Sequence, residues 1–123
     1  MKVKVKELEG TALDWSVAKA EGVNAGIKYG VVQRPLTPDE KSDLGLHSEA
    51  DAYQRYNYLE NWALAGPIIE REFIALGYGP NDGWIGMDMN GNYYMGPTPL
   101  VAAMRCYVIS KLGFEIDIPE ELL

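Results

Sequence analysis

The sequence predicts an α+β fold, with a small, mainly antiparallel sheet packed by helices, on the strength of three observations. A near-ideal helix start, "GPTP", leads into "LVAAMRCYVISKLG", which is apolar on almost every side. Asn90-Gly91 lies between the apolar runs "WIGMDM" and "NYYM", the strongest short hairpin signal. The tail "FEIDIP" alternates as an edge strand that Pro119 ends. At 123 residues the chain fits one domain with a core of its own.

The elements follow in chain order. "ELEGTALDWSVAKAEG" predicts a helix from about Glu7 or Thr11 to Glu21. Thr11 with Asp14 suggests a capping box, and Gly22 suggests the stop. Its two apolar stripes, Leu13/Val17/Ala20 and Leu8/Ala12/Trp15/Ala18, imply contacts on two sides. "IKYGVV" has strand composition. The stretch from about 31 to 58, rich in Pro, Gly and mixed charge, reads as a long irregular or poorly ordered segment. Asn61 caps a helix in which Gly66-Pro67 interrupts or restarts the turn, leaving "PIIEREFIAL" as the safer helical span. The turn signals Asp82-Gly83 and Asn90-Gly91 bracket a strand over Trp84–Met89, which should pair with Asn92–Met95. Thr98 as N-cap, Pro99 at the first helical position and Gly113 beyond the end define a helix from about Pro99 to Leu112. Too short to span a bilayer, that helix is either the central packing element or part of a subunit interface.

Composition narrows the classes of function. With 47% hydrophobic and 24% charged residues the chain is globular. A net charge of −7 argues against nucleic-acid binding and favours basic partners. The single Cys106 lies in the apolar helix and behaves as a small apolar residue of a reducing compartment. "MKVKVKELEG" has no apolar core of a signal peptide, so the expected location is cytoplasmic, with no membrane association.

The candidates for binding are Trp62, Glu70, Arg71 and Arg105. Glu70 and Glu72 lie two apart and diverge on a helix, so they cannot share one acid/base site. Arg105, in the middle of an apolar helix, needs a carboxylate, a carbonyl or a ligand anion, and Glu70 or Glu72 is a candidate partner. "DMNGN" lacks the ligand set of a calcium loop and is better read as a turn. His47 among Asp43, Glu49 and Asp51 is a weak metal cluster, so no metal site is assigned. Trp62, Trp84, Tyr93 and Tyr94 suit an aromatic pocket or an aromatic-rich core equally. Neither a phosphate loop nor a nucleophile paired with a base is present, so no catalytic residue and no cofactor are assigned.

Several stretches carry a resemblance: "ALDWSVAKAEG", "GPIIERE", and "GPTPLVAAMRCYVISKLG" followed by "IDIPEEL". In this order and spacing, over roughly half the chain, the sequence resembles the NinX-like family of small phage proteins of unassigned function. The family's Ser-Thr-Asp-Trp and Gln-Gly-Gly-Pro elements correspond here to "LENWALAGP", which keeps Trp62, Gly66 and Pro67 but not the hydroxyl pair. The resemblance implies a phage or prophage origin, a bacterial host cytoplasm, no known reaction and, through distantly similar phage domains, an α/β/α sandwich. Taken together, the sequence points to a phage accessory protein that binds a host or phage protein, with a homo-oligomer left open. The alternative is a small-molecule-binding protein or minor enzyme with a cleft near Trp62, Glu70 and Arg105.

Overall fold

A computed structural model describes residues 1–79 and 83–123. Asp82 of the expected Asp82-Gly83 turn therefore lies outside the described residues. The strands are β1 (Lys2–Lys4), β2 (Gly26–Lys28), β3 (Val31–Pro35), β4 (Tyr53–Arg55), β5 (Ala75–Tyr78), β6 (Trp84–Met87), β7 (Tyr93–Gly96) and β8 (Glu115–Asp117). The helices are α1 (Gly10–Ala20), α2 (Pro38–Asp43), α3 (Trp62–Arg71) and α4 (Pro99–Leu112). The α+β class holds, but the strands form three separate antiparallel sheets in place of one: β1-β8, β2-β3-β4 and β5-β6-β7.

Helix α4 is the centre of the molecule. Thr98 Oγ1 accepts the Val101 amide at 3.2 Å, Pro99 opens the helix, and Gly113 ends it at φ +96°. Leu100 to Met104 and Cys106 to Ile109 are all buried. One side of the helix packs on β5, β6 and β7, while α1 and α3 cover the side that carries Tyr107. The layers thus run sheet, helix, helices. A helix occupies the middle, where an α/β/α sandwich has its sheet.

Glycine sets how closely the sheet meets this helix. A Cβ on Gly86 would stand 2.7 Å from the Ala102 carbonyl oxygen, and one on Gly96 would stand 2.6 Å from the Ala102 nitrogen. No side chain fits either gap, so "WIGM" and "YYMG" carry glycine where the backbones touch.

Four expectations need correction. Thr11 forms no capping box with Asp14: its hydroxyl donates to the Gly30 carbonyl at 2.7 Å, and Asp14 is drawn instead to the Leu59 amide. Pro67 does not interrupt α3, which runs through it. Pro67 is on the exposed side, and Gly66 before it has no Cβ to clash with the ring. "IKYGVV" is two strands, because Tyr29 (φ 54°) and Gly30 (φ 71°) form a two-residue left-handed turn between β2 and β3.

The segment 31–58, expected to be irregular, contains β3, α2 and β4 and places Tyr56 and Tyr58 in the core. Its order comes from polar bonds. Thr37 and Glu40 complete a capping box at α2, and Arg34 grips Glu40 in two bonds of 2.7 and 2.8 Å while donating to the Tyr56 hydroxyl at 2.8 Å.

The hairpin, the Gly22 stop and the terminal strand follow the sequence. Residue Met87 faces Tyr93 across a turn closed by Asp88, whose Oδ1 accepts the Asn90 and Asn92 amides. Gly22 adopts φ +74°, and Val23 donates to the Ala18 carbonyl in the wrap typical of a glycine-terminated helix. Strand β8 pairs with β1, a partner the sequence had not revealed, in the register Lys2↔Asp117 and Lys4↔Glu115.

Candidate functional site

The four candidate residues do not converge. Arg105 donates to the backbone carbonyls of Leu8 and Met95, both at 2.9 Å, and not to Glu70 or Glu72. A guanidinium emerging from a buried helix reaches the nearest unpaired carbonyls, and here these close the turn before α1 and the outer edge of β7. Burial lowers the Arg105 pKa, partly countered by Glu9. Arg105 also lines a groove of about 530 Å³ with Lys6, Tyr93, Tyr94, Met95 and Pro97, which neither Trp62 nor Glu70 touches. Trp62 is 53% exposed, and Glu70 is exposed without a polar partner among the described residues.

Arg71 serves the packing of helices. It donates to Glu21 at 2.7 Å, to Glu72 at 2.9 Å and to the Tyr107 hydroxyl at 3.2 Å. Tyr107, from the core of α4, donates its hydroxyl to Glu21, and Lys111 pairs with Glu72 at 3.0 Å. Burial alone would raise the Glu21 carboxyl, but the bonds from Arg71 and Tyr107 outweigh it and hold Glu21 below the usual carboxylate range. The bond from Arg71 does the same for Glu72. "AKAEG", "IIERE" and "MRCYV" thus meet where three helices join, and this junction engages Arg71 and Glu72 of "ERE" but not Glu70.

Asp14 lies in a cleft of about 450 Å³ with Glu9, Thr11, Leu59, Glu60 and Thr98. Its Oδ1 accepts the Leu59 amide at 3.1 Å, which fastens the chain leading into α3 to α1. Burial pushes its carboxyl up to about 7, with the nearby Glu60 adding to the effect. Sequence reasoning had assigned this Asp to a cap, because the approach of Leu59 spans 45 residues.

A different feature is the strongest candidate for function. Gly86 and Gly96 point at α4, so by the alternation of a strand Leu76, Tyr78, Trp84 and Tyr94 share their face. The opposite face then carries two rows read across β5, β6 and β7: Ala75–Met87–Tyr93 and Gly77–Ile85–Met95. None of the six is charged. Among the described residues α4 is the one element in extensive contact with this sheet, and it covers the other face. Met87 and Met95 are each 39% exposed and Tyr93 is 59% exposed, an open patch of two thioethers and a phenol. The signal was present in the sequence: a hairpin with one face in water should alternate polar and apolar, and "WIGM" and "YYMG" do not.

Among the described residues no group of three His, Cys, Asp or Glu side chains is placed to hold a metal ion, and no helix is long and apolar enough to cross a membrane. A buried central helix, three small sheets and an uncharged exposed sheet face define a small α+β protein. A family model described as Bacteriophage P22, NinX matches residues 4–111, and the chain belongs to this phage protein family. No curated protein matches the chain.

Proposed function

We propose that this phage protein is a protein-binding module, acting in the cytoplasm of the bacterial host, and that it docks through the outer face of β5, β6 and β7. The observation that carries the proposal is the uncharged surface of Ala75, Gly77, Ile85, Met87, Tyr93 and Met95. Exposed contiguous apolar surface is characteristic of interaction sites, and methionine adapts to an irregular partner. The net charge of −7 favours a partner whose apolar patch is set among basic residues.

The test compares the wild type with the double variant Met87→Lys/Met95→Lys, each immobilised and exposed to lysate of phage-infected host cells. The expected result is a near-stoichiometric protein retained by the wild type, lost from the variant, and released as salt is raised. Equal retention by the two proteins would remove this face from the proposal.

A further inference from the structure

We infer that two copies of the chain join edge to edge through β5, forming one continuous six-stranded sheet about a two-fold axis at Gly77. The ladder between β5 and β6 fixes which backbone groups of β5 remain unpaired. Gly79 donates to Gly83 at 2.6 Å, so the 79–83 pair is hydrogen-bonded. With the register Gly77↔Ile85 and Ala75↔Met87, alternation makes these pairs hydrogen-bonded as well. The same phase follows from the far side of β6, where Asp88 donates to Asn92 across β7. The N–H and C=O groups of Leu76 and Tyr78 therefore point away from β6, and among the described residues they have no partner.

This edge differs from its counterpart on β7. There Arg105 donates to the Met95 carbonyl and Lys6 lies alongside, the kind of cationic cover that keeps an edge strand from pairing. Strand β5, "ALGY", has no charge, no proline and no described side chain bonded to its outer edge. It is an unguarded strand of four residues.

The sequence of that strand also suits itself. Antiparallel pairing about Gly77 sets Leu76 of one copy opposite Tyr78 of the other, twice. Each such pair exchanges two backbone bonds, so four bonds close across the axis. Gly77 meets its own copy at the close, non-hydrogen-bonded position, where the absence of a Cβ removes any clash. The side chains of Leu76 and Tyr78, 36% and 63% exposed, then cover each other on one face of the sheet. Tyr78 is already held edge-on by Trp84, with ring centroids 5.3 Å apart, so little freedom is lost on pairing. A symmetric contact of this kind is self-complementary and closes at two copies.

The experiment measures molar mass by light scattering across a concentration series up to the submillimolar range, with amide exchange at the lowest and highest concentrations. The wild type should rise from the 13.7 kDa of a single chain toward twice that value. The amides of Leu76 and Tyr78 should gain protection with concentration, while that of Gly77, already bonded to β6, should not. Leu76→Lys/Tyr78→Lys sets like charges opposite each other across the axis and should stay at the single-chain mass, with an unchanged circular dichroism spectrum. Leu76→Glu/Tyr78→Lys sets opposite charges there and should recover the doubling. A wild type that stays monomeric throughout overturns the inference. So does a dimer that the two lysines leave intact, or a charge-paired variant no better than the lysine pair. Met87→Lys/Met95→Lys alters the outer face alone and should leave the doubling unchanged, so failure here is separable from failure of the docking proposal.

Discussion

The two faces of the β5-β6-β7 sheet are both uncharged, yet they have opposite fates. The inner face brings its glycines against the backbone of α4 at Ala102, leaving no room for even a methyl group. The outer face, one residue out of phase, leaves two methionines and a tyrosine open to solvent. Hydrophobicity therefore does not decide which face is core. Shape does, because Gly86 and Gly96 admit the α4 backbone at close range where the other face carries long side chains.

The most direct way to break this comparison is Gly86→Ala. The added methyl overlaps a backbone carbonyl, so the sheet must move off α4, and a loss of about 3 kcal/mol is expected in urea unfolding at pH 7. A loss below about 0.5 kcal/mol would mean that the close fit does not organise the core.

Arg71→Met asks whether the inner face depends on α4 being held from behind. Removing the bonds to Glu21 and Tyr107 should cost about 1–2 kcal/mol, a value reduced because Arg71 is half exposed. Glu21 and Glu72 have lowered pKa values, so their stabilisation is present above the unfolded carboxylate value of 4.5 and fades as the pH falls through their folded-state values. The gap between wild type and variant should narrow in acid, and a gap independent of pH from 7 to 3 would contradict the ionic account.

Asp14→Asn gives an effect of similar size and opposite sign. A carboxyl raised from 3.8 to about 7 favours the folded state most at low pH, and this contribution is lost as pH rises through that window. Asparagine keeps an oxygen for the Leu59 amide without the charge. The variant should match the wild type near pH 4 and exceed it by about 1–2 kcal/mol at pH 8, as read by thermal melting at each pH.

The outer face should tolerate most. Met87→Lys/Met95→Lys is expected to change stability by less than about 0.5 kcal/mol, in contrast with one methyl group on Gly86. A large loss would show that the outer face is part of the core after all.

How much of this was legible beforehand follows the range of the interactions. The caps of α4 and the turn at Asn90-Gly91 are local, and they stand where the sequence puts them. The helix at 38–43 was missed although Thr37 and Glu40 form a capping box, because the surrounding prolines, glycines and charges dominated the stretch. Its anchor, Arg34, reaches Glu40 from another element. Arg105 was recognised as a residue in need of partners, but not that these would be the carbonyls of Leu8 and Met95, 97 and 10 residues away. Arg71 was singled out and Tyr107 placed in the core, while their meeting through Glu21 depends on the ends of α1 and α3 coming together against α4.

The sequence by itself determined that the 99–112 helix is apolar all round, that a hairpin precedes it, and that the net charge is −7. Caps, periodicity and turn residues act over a few positions, so composition and spacing are enough to specify them. Only the tertiary structure decided that the strands divide into three sheets, which face of β5, β6 and β7 receives α4, and which is left open. Those outcomes depend on the distance at which two backbones can approach, and glycine reveals that distance only once the partner helix is in place.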